Sequence, residues 1–259
     1  MTTATATKPR PVAPVGPDRQ TSLGKALALL DAFPDDRGSI GVTELARRAG
    51  VSKPSAFRLL ACLEADGYVE RAGTSYSVGW RVFELGNRIR PCRPGGLREV
   101  ARPYLCEVHE RTRLTVHLAL LDRAHVLYLD KLERREVRTP TRVGGRMPAS
   151  CTALGKAQLA FVDEAIVEQV VRGGLARRTP YSIAAPAVFS GELERVRADG
   201  VAFDREEAAI GLWCVAAPIL KGTNVVGALS VSGPSTGDIG RVDRLTRQAA
   251  DALSGLVRS

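Results

Sequence analysis

Residues 42–64, VTELARRAGVSKPSAFRLLACLE, decide the fold of the amino-terminal part of the chain. Val42 to Ala49 has the spacing of a short helix with Leu45 and Ala49 inward and Arg47 and Arg48 outward. Gly50-Val51 makes a tight turn. Ser52 then caps a second helix, which tolerates Pro54 because a first-turn amide has no partner within the helix to lose. Ala56, Leu59, Leu60 and Leu63 fall at i, i+3, i+4 and i+7 and define its buried face. Pro54, Ser55, Phe57, Arg58 and Ala61 share the outer face. Two helices joined by a glycine turn, the second with a small polar outer face, are the parts of a helix-turn-helix. The second helix of such a unit fits the major groove of DNA, its first turns nearest the base edges. Thr43, Ser52, Lys53, Ser55, Phe57 and Arg58 are therefore the candidate DNA contacts of the two helices. Phe57 cannot hydrogen-bond a base; it either meets a thymine methyl group or packs against the element that follows.

On the amino-terminal side, Ser22 to Phe33 reads as a further helix, capped by Ser22, with Leu23, Leu27, Leu30 and Phe33 in one apolar stripe. Residues 34–38, PDDRG, end it. On the carboxy-terminal side, Tyr68–Arg71 and Tyr76–Gly79 are short alternating runs around a glycine-containing turn, which predicts a hairpin. Placed straight after the recognition helix it is a wing, and Arg71 and Ser75 join the candidate DNA contacts. Residues 21–80 thus read as a winged helix-turn-helix, a scaffold that also serves protein contacts without DNA. A helical pattern from Trp80 to Arg90 follows, then Pro91-Cys92-Arg93-Pro94-Gly95-Gly96, a cluster that marks a domain boundary. The expected division is a disordered tail over 1–20, a DNA-binding domain over 21–80, a linker over 81–96 and a second domain over 97–259.

Composition sets the bounds around this reading. The net charge of +9 favours a polyanionic partner. The excess is not concentrated in the reading head, since residues 1–90 carry 13 Lys/Arg against 9 Asp/Glu and the remainder 24 against 19. No apolar run approaches the roughly 18 residues that span a bilayer, and the first twenty residues lack the apolar core of a signal peptide. The five cysteines, Cys62, Cys92, Cys106, Cys151 and Cys214, are scattered without a C-x-x-C pair. That spacing supports neither a zinc site nor a redox motif, and it suits reduced thiols in a cytoplasmic protein. No metal or cofactor is expected. Cys151 or Cys214 paired with His109, His117 or His125 would be the candidate nucleophile, but no local signature links them and no enzymatic activity is expected.

The second half mixes strands and helices. Leu97 to Glu110 is helical, and Thr115–Leu121 and Val126–Leu132 alternate as paired strands around Asp122-Arg123-Ala124. In Met147 to Ala157, MPASCTALGKA, a helix is expected to begin at Ser150 or Cys151 and to run to Val162. The small residues at its start either let an anionic ligand approach free backbone N–H groups or are small because a strand packs there. The Gly155-Lys156 pair is not a phosphate-binding loop, because Ser150 stands where that motif has glycine and Ala157 where it has Ser or Thr. Lys156 is then a helix-face charge or the partner of a nearby carboxylate. Leu212–Ala217 reads as a buried strand, and Ser230 and Ser232 share one face of another.

These blocks, in this order, resemble the IclR (isocitrate lyase regulator) family of bacterial transcription factors. The similarity is carried by SLGKALALLDAF, VTELARRAGVSKPSAFRLLACLEADGYVER and YSVGWRVFELG in the first domain. In the second it is carried by TVHLALL, VLYLDKLE, VGGRMPASCTALGKAQLAF, DGVAFDREEAAIGLWCVAAPI and VVGALSVSGP. The resemblance implies an α+β protein of two domains, a winged helix-turn-helix joined by a linker helix to a GAF-like effector-binding domain. It implies a homodimer or dimer of dimers on a palindromic or near-palindromic double-stranded operator, acting as a repressor that responds to a small organic or aromatic acid. It places Met147, Thr152, Ala153, Asp204, Cys214, Ser230 and Ser232 in the effector pocket. Asp204 there either faces a ligand hydroxyl or is protonated, or else serves as a structural cap. The recognition helix departs from the family's usual Thr-(Val/Ala)-(His/Tyr)-Arg, with Ser55-Ala56-Phe57-Arg58 in its place, so the resemblance implies no particular operator sequence.

Overall fold

The computed structural model describes residues 21–34, 38–133, 139–234 and 239–257. The expected tail over 1–20 lies outside the described residues. The chain divides into two compact units, 1–89 and 90–259.

In the first unit, α1 (Ser22–Asp31) is capped by Thr21, whose hydroxyl accepts the Gly24 amide at 3.0 Å, one residue earlier than expected. The expected apolar stripe is also corrected. Leu29 is fully buried, while Leu23 and Leu27 are 70% and 49% exposed. Leucines at 23, 27, 29 and 30 offer two overlapping faces, and packing uses the one that carries Leu29 and Leu30. The next two helices, α2 (Val42–Ala49) and α3 (Lys53–Ala65), fall where the sequence places them. Gly50, at φ 68°, closes α2 in the left-handed conformation that a side chain would disfavour. Leu45, Ala56 and Leu60 meet Leu29, Val69 and Tyr76 in the core of this unit. The wing has three antiparallel strands: β1 (Ile40–Gly41), β2 (Val69–Ala72) and β3 (Ser75–Val78), in the order β1-β3-β2. At two residues, β1 is too short to carry a periodicity. The helix α4 (Trp80–Gly86) ends short of the expected Arg90, and turns follow it.

The second unit is a six-stranded antiparallel sheet with helices on both faces. Its strands are β4 (Thr115–Asp122), β5 (His125–Leu132), β6 (Arg146–Pro148), β7 (Ala202–Arg205), β8 (Leu212–Lys221) and β9 (Asn224–Pro234). Their order is β6-β5-β4-β9-β8-β7. Because strand side chains alternate, each strand feeds two cores. Val116, Leu118, Val215, Ile219, Leu229 and Val231 face α5 (Leu97–Thr112) and α9 (Ile239–Leu256). Ala119, Ala216 and Ala228 face α6 (Ala153–Leu159), α7 (Glu164–Arg172) and α8 (Pro186–Asp199). The helix expected from Ser150 or Cys151 to Val162 is shorter: a 3-10 turn over Ala149–Cys151 precedes α6, and Thr152 caps it. Every residue of α6 is buried. Gly155 lies so close to the preceding turn that a Cβ there would sit 2.0 Å from the Ala149 carbonyl oxygen. Gly155 thus serves close packing.

Candidate functional site

The outer face of α3 is open. Lys53, Pro54, Phe57, Arg58 and Ala61 are exposed and Ser55 is half-buried. The Ser52 hydroxyl donates to Ser55 Oγ at 2.9 Å, so these two side chains are organised together rather than capping the helix amides. Thr43 is exposed in the first turn of α2. Arg47 and Arg48 are exposed too, but both bind Glu44, at 2.6 and 2.9 Å. Their hydrogen bonds hold the Glu44 carboxyl down at about 2, so this helix offers DNA compensated rather than free charge. Arg58 has no acidic partner among the described residues.

The wing is tied to the recognition helix through one side chain. Arg71 on β2 donates from Nε to the Gly73 carbonyl at 2.9 Å. Its guanidinium lies 5.5 Å from the Phe57 ring centre and 5.8 Å from that of Tyr76, within cation–π range. Of the two readings of Phe57, packing against the wing is the one observed, although 47% of the residue remains exposed. Sequence reasoning missed Tyr76 as the third member of this stack; its place opposite Arg71 follows from the β2–β3 register. Ser75 is half-buried beside the wing turn.

In the second unit the sheet register assembles a polar floor. Asp204 on β7 pairs with Cys214 on β8, Cys214 with Ser232 on β9, and Ser232 with Thr115 on β4. Two residues along, Ala216 pairs with Ser230 and Ser230 with His117. Asp204, Cys214, Ser230, Ser232 and His117 of this face line a cavity of about 40 Å³ together with Met147, Thr152, Leu154, Pro140 and Thr141. That is room for roughly three waters. Six of the seven residues assigned by resemblance, Met147, Thr152, Asp204, Cys214, Ser230 and Ser232, line it. Ala153 does not. It is fully buried in the core packed against this face of the sheet, because the helix begins with it rather than before it. The Thr152 hydroxyl accepts the Gly155 amide at 3.1 Å and donates to the Pro148 carbonyl, so one of the first-turn donors expected for an anion is already satisfied.

His117, Tyr128 and Thr141 also line the cavity, and the sequence reading missed them. His117 Nε2 lies 2.8 Å from Thr141 Oγ1, and its Nδ1 lies 3.4 Å from Ser230 Oγ. Its ring stands 5.1 Å from that of Tyr128. Burial, with a smaller contribution from the charge of Lys131, pushes the imidazole down to about 3, so it is neutral. Burial likewise raises the Tyr128 phenol. The strand pattern signals that His117 and Ser230 face one way, but not that they are neighbours.

Asp204 is 5% exposed. Its Oδ1 accepts the amides of Glu207 and Ala208 at 2.7 and 3.2 Å, so the capping role is observed. Burial, opposed by those two hydrogen bonds and reinforced by Glu207, raises its carboxyl to about 7. Lys156, almost wholly buried, is the partner of two carboxylates, Glu207 at 2.5 Å and Glu192 at 3.3 Å. The thiols of Cys151 and Cys214 are pushed by burial up to about 11 and about 12, so neither is an activated nucleophile. Among the described residues, no group of three or more His, Cys, Asp or Glu is placed to hold a metal ion, and no helix is long and apolar enough to cross a membrane.

A winged helix-turn-helix with an open recognition face, in one chain with a sheet domain holding a small cavity of mixed polar and apolar lining, defines a ligand-responsive DNA-binding transcription regulator. Residues 22–73 match the IclR helix-turn-helix domain, and residues 94–258 match the bacterial transcriptional regulator IclR C-terminal domain. The transcriptional regulator KdgR of Escherichia coli is 34% identical over 85% of this chain and 84% of its own length. The transcriptional repressor IclR of Escherichia coli is 31% identical over 88% of this chain and 85% of its own. An IclR homologue from Microbacterium hydrocarbonoxydans, solved in complex with 4-hydroxybenzoate, superposes with a TM-score of 0.84 at 26% identity. That superposition covers 92% of this chain and 99% of the homologue. The chain belongs to the IclR family of bacterial transcriptional regulators.

Proposed function

We propose that this regulator is a cytoplasmic repressor that binds a palindromic or near-palindromic operator as a homodimer or dimer of dimers and is controlled by a small organic acid. In this reading Ser52, Lys53, Ser55 and Arg58 face the major groove with the part of Phe57 that the wing leaves exposed, Thr43 completes the DNA-contacting set on α2, and Arg71 and Ser75 carry the wing. The effector occupies the cavity bounded by Met147, Thr152, Asp204, Cys214, Ser230 and Ser232, with His117, Tyr128 and Thr141 added. Relatives named as regulators and a repressor support the regulatory role. The 4-hydroxybenzoate complex of the Microbacterium homologue supports an acid as effector. Pairing of two copies is supported by apolar side chains left in water: Leu23 and Leu27 on α1, and Trp80 and Phe83 on α4, the last two 73% and 65% exposed.

The single observation that carries the control mechanism is the size of the cavity. At about 40 Å³ it does not admit even a small aromatic acid without movement of its walls. Binding and displacement of the walls are then one event, which gives an effector different affinities for the two states, the condition for any shift in operator binding. The test is a mobility shift on DNA from upstream of the regulator's own gene. Binding is expected to weaken steeply with salt and to change on adding an acid that also raises the melting temperature of the protein. Loss of either response overturns the corresponding half of the proposal.

A further inference from the structure

What Asp204 already does decides how it would meet an effector; the inference that follows rests on the cavity being the effector site. Its Oδ1 is committed to the amides of Glu207 and Ala208, and no hydrogen bond to Oδ2 is present among the described residues. The surrounding charges do not neutralise it. Lys156, from α6, is held between Glu207 and Glu192, and Glu192 in turn binds Arg195. Arg178, from the segment before α8, donates its Nε to the Ala208 carbonyl at 3.1 Å. The other titratable groups of the site are the phenol of Tyr128 on β5, the thiols of Cys151 and Cys214 and, lining the same cavity beside Ser230, the imidazole of His117 on β4, all held neutral chiefly by burial. Among the described residues, no Lys or Arg lines the cavity. Ser232 stands two strands from Asp204 across Cys214, with Ser230 two residues along the same strand; Tyr128, Thr141 and Thr152 add further hydroxyls to the lining, and Met147, Leu154 and Leu212 add apolar side chains. An amphipathic acid would turn its carboxyl toward the polar floor, and two carboxylates in one desolvated site cannot both stay ionised.

We propose that the acid effector binds as a carboxyl pair with Asp204, its carboxylate and Asp204 Oδ2 sharing one proton taken from solvent, with Ser230 and Ser232 donating to the remaining carboxylate oxygen. The step is a proton uptake alone: one O–H bond forms, no other covalent bond changes, and the net charge of the pair is −1. Asp204 in the free protein sits at about 7. Below that value the proton is already on the carboxyl, and effector affinity is insensitive to pH. Above it each binding event recruits one proton.

The experiment is calorimetric titration of the full chain with benzoate, 4-hydroxybenzoate and pyruvate. It is run from about pH 6 to about pH 8.5 in phosphate and in Tris, whose heats of ionisation differ. For any acid that binds, affinity should be flat in the acid range and fall close to tenfold per pH unit above about pH 7.5, with about one proton taken up. In Asp204→Asn the amide oxygen still accepts from Glu207 and Ala208, and the amide NH2 donates to a carboxylate. The variant should therefore bind with no pH slope and no proton uptake. Binding by wild-type protein with no slope and no uptake overturns the proton-sharing pair while leaving the effector site in place, as does a slope that survives in Asp204→Asn. If none of the three acids binds at millimolar concentration to a chain with an intact melting transition, the acid-effector reading fails and the pair falls with it.

Discussion

The recognition face and the cavity are built in opposite ways. Ser52, Ser55, Phe57 and Arg58 belong to a single turn-and-helix segment, and their shared outer face is a consequence of helical spacing alone. The floor of the cavity takes His117, Asp204, Cys214 and Ser232 from four strands, which become neighbours only through the register of an antiparallel sheet. The first site lies in side chains that project from a small core, so it tolerates change. The second is continuous with the core, so its chemistry and the stability of its domain are tied together.

The sharpest way to break that contrast is at Gly155. A valine there would press on the Ala149 backbone, which cannot move without the turn that carries Met147 and Thr152 toward the cavity. Gly155→Val should cost about 5 kcal/mol or more and lower or abolish the calorimetric transition of residues 90–259, leaving that of residues 1–89 in place. A single transition that moves as a whole would mean that the two units are not energetically separate.

A smaller effect tests whether cavity chemistry and stability are linked. The Asp204 carboxyl rises from 3.8 to about 7 on folding, so its protonated form is favoured in the folded state. The stabilisation is complete below the unfolded value and is lost as pH climbs to about 7, a change of about 4 kcal/mol at most. His117 tilts the other way: lowered from 6.5 to about 3, it resists protonation, and its contribution is lost as pH falls through that window. The two slopes offset each other in the wild-type chain. Asp204→Asn should therefore make the urea midpoint of the second unit fall on acidification more steeply than in wild type, and an unchanged pH profile would remove Asp204 from this coupling.

The opposite ways in which the sites are built also explain what could be read from the chain. The boundaries of α2, the face of α3 and the hairpin were legible because each rests on spacing within a few residues. The face of α1 was not, since leucines at 23, 27, 29 and 30 satisfy two stripes and only contact with Leu45 and Leu60 chooses between them. At the cavity, alternation put Ser230 and Ser232 on one face. It could not reveal that His117, more than a hundred residues away, lies beside Ser230, nor that Lys156 is buried against Glu207. The small residues at the start of this helix fitted either a cradle for an anion or close packing, and the close contact of Gly155 with Ala149 shows packing at that position.

The weakest expected effect lies where the wing meets the recognition helix. Arg71→Ala removes a guanidinium placed over Phe57 and Tyr76 and held by the Gly73 carbonyl. At an exposed site this is worth about 0.5–1 kcal/mol, so the first unit should lose about 2–8 °C in melting temperature. Operator affinity should fall by a few fold, and its salt dependence should become shallower by about one counterion. A salt slope equal to that of wild type would confine Arg71 to packing.

The claim that the two sites are separate functions of separate units is tested most directly by the affinity of Arg58→Ala for operator DNA, measured by fluorescence anisotropy at fixed salt. Arg58 is exposed and unpaired among the described residues, so its removal should leave the fold intact. It should weaken binding by about 1–3 kcal/mol, roughly five- to a hundred-and-fiftyfold, with the effector-induced thermal shift preserved. Operator affinity equal to that of the wild-type chain would contradict the placement of the reading face on α3.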